Sequence, residues 1–213
     1  EEGYLPEAVT NMLAFLGWNP GTEQEFFNLQ ELVEAFELER VHKGGAKFDP
    51  EKTKWFQQHY IQQANTELLT NSFLEFLKEK EISAEKDYVH SIVELLKERV
   101  VFVKDFWEEG YFFFTNPTSF EPKDAKKAWK EDTPELMKEL RDYMQTIEDF
   151  TSENLQESVK SWIKNKEIGF GKVMMPLRLA LVGALQGPDL YVIAEKIGKT
   201  STLGRITKAI ETL

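Results

Sequence analysis

The sequence predicts an all-α protein built from several helical modules, and three observations carry that expectation. Apolar residues recur at three- and four-residue spacing along most of the 213 residues. Proline, Asn, Asp and Gly stand where helix starts and stops require them. The one run rich in β-branched residues, Val100-Val101-Phe102-Val103, has no comparable run to pair with, so it is read as helical continuation or turn and not as a strand.

The elements follow in order. Pro6 suits a first helical turn, Val9, Met12, Leu13 and Leu16 form an apolar stripe, and Gly17 marks the end. Asn28 with Glu31 has the form of a capping box opening a helix through Leu29, Leu32, Val33 and Phe36. Gly44-Gly45 is a turn. Asp49 then caps a helix with Pro50 in its first turn, on which Trp55 and His59 share one face and Phe56 and Tyr60 its neighbour. Helices are expected around Leu68 to Leu77 and Tyr88 to Arg99, followed by Tyr111-Phe112-Phe113-Phe114 as the buried end of a module and Thr115-Asn116-Pro117 as a linker. The last module reads as helices near 122–129, 134–147, 153–164, 173–185, 190–197 and 202–211. Pro176 is placed in a first turn, and Leu203, Ile206 and Ile210 form the buried stripe of the final helix. No fixed period of a solenoid array is present.

Composition narrows the function classes. Zero Cys excludes a disulfide framework and thiolate metal sites. His42, His59 and His90 lack metal-ligand spacing, and the many acidic pairs are what 37 Asp and Glu produce by chance. No nucleophile elbow, glycine-rich phosphate loop or long apolar span is found. Catalysis by these residues alone is therefore not expected. The five Trp are assigned to packing. Net charge is −11, yet residues 160–213 hold nine basic and four acidic side chains, so the C-terminal quarter could attract a polyanion that the acidic remainder would repel.

The densest signal lies between Ile168 and Leu190. Glycines at 169, 171, 183 and 187 surround a helix that carries Arg178 with Leu177, Ala180, Leu181 and Ala184 on an apolar face. A guanidinium held beside a tight turn offers a planar fork of five donors, which suits base edges and phosphates better than proton transfer.

Ile168-Gly169-Phe170-Gly171-Lys172-Val173, Pro176-Leu177-Arg178-Leu179-Ala180-Leu181 and Gly187-Pro188-Asp189-Leu190-Tyr191 resemble the anticodon-binding end of bacterial-type glutamyl-tRNA synthetase. Gly3-Tyr4-Leu5-Pro6-Glu7-Ala8, Leu16-Gly17-Trp18, Leu38-Glu39-Arg40-Val41 and Phe48-Asp49-Pro50-Glu51-Lys52, with Trp55, Tyr60 and Ile61, resemble its tRNA-stem-contacting segment. The motifs span nearly the whole chain in one order.

That resemblance implies a tRNA stem-contact module over residues 1–65 and an α-helical cage for the anticodon in two subdomains, 66–116 and 117–213. It implies contacts from Arg178, Met175, Gly187 and Leu190 to the first two anticodon bases, and inspection of the third by Arg99. Met175 stands where some members have glutamine and Gly187 where some have a hydroxyl, so side-chain hydrogen bonds are not expected from either. Arg40 and Lys43 become candidates for stem phosphates. The implied partner is the glutamate tRNA, with no DNA or membrane, in a cytoplasmic monomer. The ATP-dependent catalytic domain, with its ATP and magnesium, is expected to precede Glu1, leaving this part without cofactor, metal or catalytic residue of its own. Two alternatives stay open: a helical protein-interaction scaffold without RNA affinity, and a parent that also charges the glutamine tRNA.

Overall fold

The computed structural model describes residues 3–42, 44 and 47–213. Among them the chain is all-α, with eleven α-helices and no strand beyond an isolated antiparallel bridge between Trp18 and Val41. It divides into two compact units, 1–109 and 110–213.

In the first unit α1 (Pro6–Gly17) packs on α3 (Pro50–Gln63), while α2 (Leu29–Ala35) covers one end. Trp18, Phe27 and Leu32 form a small core against Ala14, Phe15 and Ala35. Asn11 is fully buried, and it is satisfied: its amide donates to Glu25 O at 2.7 Å and its Oδ1 accepts from Phe27 N at 3.0 Å. That pair ties the loop before α2 to α1, as a buried amide must if it is not to cost stability.

The helix starts expected at Asn28 and at Asp49 form as expected. Asn28 Oδ1 accepts from Glu31 N and Glu31 returns the contact to Asn28 N, while Asp49 Oδ1 accepts from Glu51 N and Lys52 N. Asn28→Ala is expected to lower stability by about 1 kcal/mol, read as a shift in urea midpoint at constant slope. An unchanged midpoint would mean that α2 is held by tertiary packing alone.

Trp55 departs from the expected core role. It is exposed on α3, its ring 4.4 Å from Phe26, which stacks face to face on His59 at 3.5 Å. Burial against these rings lowers the His59 pKa.

Further along, α4 (Thr66–Glu79) and α5 (Lys86–Leu96) form a hairpin around Phe73, Leu77, Val89, Ile92, Val93 and Leu96. A 3-10 turn, Lys97–Arg99, ends it. Val101 and Phe102 donate their amides to Asp105 Oδ2 at 3.0 and 2.8 Å, so the ambiguous run is a side-chain-capped turn leading into α6 (Asp105–Gly110).

The second unit begins with a 3-10 turn, Tyr111–Phe113, and continues through α7 (Pro122–Ala128), α8 (Thr133–Thr146), α9 (Ser152–Asn165), α10 (Phe170–Val182) and α11 (Leu190–Thr212), the last bent at Gly198. The break between units falls at 109/110, ahead of the linker read at 115–117. Residues 112–116 are held to the following helices by Arg205, which donates to Phe112 O, Thr115 O and Asn116 Oδ1.

Two local expectations are corrected here. Pro176 lies inside α10, which begins at Phe170. Burial of Val173 and Leu177 carries the helix across the proline, which leaves one ladder bond unmade. The final helix buries Thr202, Arg205, Ile206 and Ala209, with Leu203 and Ile210 only half-buried. The stripe is rotated because the Arg205 guanidinium is drawn inward by carbonyl acceptors.

Candidate nucleic-acid interface

The turn between α10 and α11 is built from both sides. Gly183 ends α10 in the left-handed conformation at φ 88°, its amide donating to Leu179 O at 2.7 Å. Leu185 N donates to Asp124 Oδ2 at 2.7 Å and Tyr111 Oη to Val182 O at 2.5 Å. On the other side Asp189 caps α11, its Oδ1 accepting from Tyr191 N at 2.8 Å and Val192 N at 3.2 Å.

Arg178 closes the turn. One terminal nitrogen donates to Gln186 O at 3.1 Å and to Pro188 O at 2.8 Å, on either side of Gly187. Gly187 has φ 109°, a conformation that favours glycine, and a methyl group there would press on Phe112 Cζ at 3.2 Å while meeting the Arg178 guanidinium at an ordinary 3.5 Å. The half-buried guanidinium thus braces the backbone it was expected to stand beside.

The other expected residues separate by environment. Met175 is half-buried on α10. Leu190 is buried in the first turn of α11, so its side chain is packing and a direct base contact would require that turn to open. Tyr191 is buried behind it and donates to Met174 Sδ at 3.4 Å; desolvation, then the Asp189 charge, push its pKa up to about 12.

Arg99 belongs to the first unit. Its Nε donates to Glu109 Oε2 at 3.0 Å, with side-chain exposures of 41% and 34%, so the pair is reachable from solvent and not sealed. Arg40 pairs with Glu37 at 2.8 Å and its guanidinium lies against Gly21. Lys43 lies outside the described residues.

Sequence reasoning missed Arg205. It is 6% exposed and donates to the main-chain oxygens of Leu181, Phe112 and Thr115 as well as to Asn116. Its only signal was a cation three residues after Thr202 and four before Ala209, on the face those two share. Much of the C-terminal basic excess is likewise engaged within the fold: Lys166 with Glu139, Lys172 with Asp132, Lys199 with Ile147 O and Lys208 with Pro117 O. Among the described residues no three carboxylate or imidazole groups converge as for a metal, and no helix is long and apolar enough to cross a membrane.

The second unit is thus all-helical, with a glycine turn braced by Arg178 beside the start of α11. A family model described as an anticodon binding domain matches residues 56–210, and the chain belongs to that family. The catalytic domain of class I tRNA synthetases (E and Q) matches residues 1–55, so the catalytic domain is represented here by that stretch alone.

Relatives named glutamate–tRNA ligase include those of Christiangramia forsetii, 71% identical, and Flavobacterium johnsoniae, 55% identical, each over all 213 residues. The structure of a glutamate tRNA ligase from Elizabethkingia meningosepticum, solved with its amino acid, is 46% identical and superposes over the full chain with a TM-score of 0.95. In each case the chain spans 42% of the longer protein. These likenesses uphold the resemblance read from the motifs.

Proposed function

We propose that this chain is the tRNA-binding, anticodon-reading part of a glutamate–tRNA ligase, with the glutamate tRNA as partner. The observation that supports it best is the Arg178-braced turn at Gly187, set within residues matched by the anticodon-binding family. An anticodon is single-stranded, and its splayed bases can be met by a guanidinium and a closely approaching glycine backbone.

In this reading Arg178, Met175 and the Gly187 turn meet the first two anticodon bases, with Leu190 supporting them from beneath. Arg99, released from Glu109 or shared with it, inspects the third. Arg40, with Lys43, meets phosphates of the tRNA stem, which position the RNA without reading it. Residues 1–65 serve stem contact, and 66–116 and 117–213 the anticodon. The parent would use ATP and magnesium to join glutamate to the tRNA; this part would bind and orient it.

Binding of the chain to glutamate tRNA and to anticodon-substituted tRNA at two salt concentrations tests the reading. Affinity should fall steeply with salt, because neutralised phosphates release counterions, and should fall further for the substituted anticodon. Equal retention of both RNAs, indifferent to salt, would leave a protein-interaction scaffold.

Arg99→Gln separates the two kinds of parent. In an enzyme restricted to glutamate tRNA it should reduce discrimination at the third anticodon base by about tenfold or more, from loss of a bidentate donor. No change in the ratio of affinities would point to a parent that also charges glutamine tRNA.

A further inference from the structure

Arg99 sits in a turn that is fastened from several sides. The 3-10 turn Lys97–Arg99 lies between Leu96 and Val100, both fully buried. Lys97 Nζ donates to Ala64 O at the end of α3, and Gln62 Nε2 donates to Glu98 O at 3.3 Å. Beyond the turn, Asp105 Oδ2 holds the amides of Val101 and Phe102, which fixes the start of α6 and with it Glu109, one helical turn further on. Arg99 and Glu109 thus reach toward each other from two pieces of backbone that are each held in place.

Their ion pair uses only part of the guanidinium. Glu109 Oε2 accepts from Arg99 Nε at 3.0 Å, and no described residue accepts from the two terminal nitrogens. The group is planar, so a carboxylate held on Nε sets the direction of the far edge, where the terminal nitrogens can meet two neighbouring acceptors on a base. A pair this exposed adds little to stability, and orientation is what it can supply. Charge points the same way. Residues 97–109 carry three basic and four acidic side chains, so a paired Arg99 offers no surplus positive charge to a phosphate.

We propose that Glu109 is a positioning residue for base reading: it stays on Arg99 Nε while the terminal nitrogens meet the third anticodon base. The inference rests on the role given to Arg99 above and adds Glu109 as a determinant of specificity. Without its carboxylate, Arg99 would swing toward the nearest phosphate, a contact that carries no sequence information. Discrimination would then be lost from both sides, by weaker binding of the correct RNA and tighter binding of the wrong one.

Binding of the chain to glutamate tRNA, and to the same tRNA substituted at each anticodon base in turn, tests this at two salt concentrations. Glu109→Ala should lower third-base discrimination about tenfold, partly by tighter binding of the substituted tRNA, and should steepen the salt dependence by about one phosphate contact. Glu109→Gln, whose amide oxygen still accepts from Nε, should keep most of the discrimination. Glu108→Ala removes an exposed neighbouring charge outside the ion pair and should leave the third-base ratio as it was. Discrimination at the first two bases should hold in all three variants. Full third-base discrimination in Glu109→Ala, beside its loss in Arg99→Ala, would overturn the role of Glu109 and leave that of Arg99 standing. An equal fall in Glu108→Ala would overturn it by making net charge the cause, and an equal fall at all three bases would do so by making Glu109 structural. Unchanged discrimination in Arg99→Ala would overturn the underlying reading of Arg99, and the role of Glu109 with it.

Discussion

Arg205→Ala is expected to destabilise the second unit by about 3 kcal/mol, the largest effect of any single replacement considered. The guanidinium donates to Asn116 Oδ1 at 2.9 Å, Leu181 O at 2.7 Å, Phe112 O at 2.8 Å and Thr115 O at 3.2 Å. Three of these acceptors are main-chain carbonyls at the end of α10 and in the segment before α7. Alanine leaves them without their donor in a region that excludes most solvent. A cleft of about 290 Å³ lined by Asn116, Ala180, Ser201, Arg205 and Lys208 adjoins the site, and water entering through it would offset part of the loss. That is why the expected cost is about 3 kcal/mol and not the sum over four bonds. Arg205→Lys should recover little, since one ammonium cannot span acceptors placed for a planar fork. Lys208→Ala, on the same cleft but exposed, should change stability by about 0.5 kcal/mol or less. Urea unfolding followed by a probe in 110–213 measures all three; a loss under about 1 kcal/mol for Arg205→Ala would mean that water replaces the side chain in full.

What was legible in the sequence sorts by the range of the interaction responsible. Asn28 with Glu31 and Asp49 before Pro50 act on amides two or three residues away, so residue type and spacing suffice to find them. The position of Pro176 was misread because a proline is tolerated inside a helix when its neighbours are buried, and burial is a property of the whole unit. The final helix was rotated in the reading for the same reason. Charge argued that Arg205 faces water, and only the distant carbonyls of Phe112, Thr115 and Leu181 reverse that. At the site, the pairing of Arg178 with the Gly187 turn was visible as a motif. Its direct grip on Gln186 O and Pro188 O was not, because carbonyl directions in a turn depend on what Asp124 and Tyr111 hold in place. Leu190 illustrates the converse, a role implied by resemblance at a side chain that the fold buries, because burial is set by the whole unit and not by the motif.

Arg178→Ala is expected to weaken tRNA binding by about 1 to 3 kcal/mol, roughly tenfold to 150-fold, while costing less stability than Arg205→Ala. Two routes lead to that loss, and they are separable. If the guanidinium meets a base itself, Arg178→Lys should lose most of the affinity as well, since an ammonium cannot make the planar paired contact. The affinity ratio between correct and substituted anticodons should collapse, and the salt slope should stay the same because no phosphate contact has gone. If Arg178 acts by holding Gln186 O and Pro188 O, the turn is what binds. Gly187→Ala should then produce a comparable loss through strain at φ 109° and pressure on Phe112, even with Arg178 intact. The double variant decides between the routes. Losses that add within about 0.5 kcal/mol assign independent contacts to the side chain and the turn, whereas a double variant no weaker than either single makes them one unit. The two carbonyl contacts to a single terminal nitrogen favour the second outcome in the free protein, because that nitrogen is already committed to the turn before RNA arrives. Wild-type affinity in Arg178→Ala, with anticodon discrimination unchanged, would remove both the residue and its turn from the recognition surface.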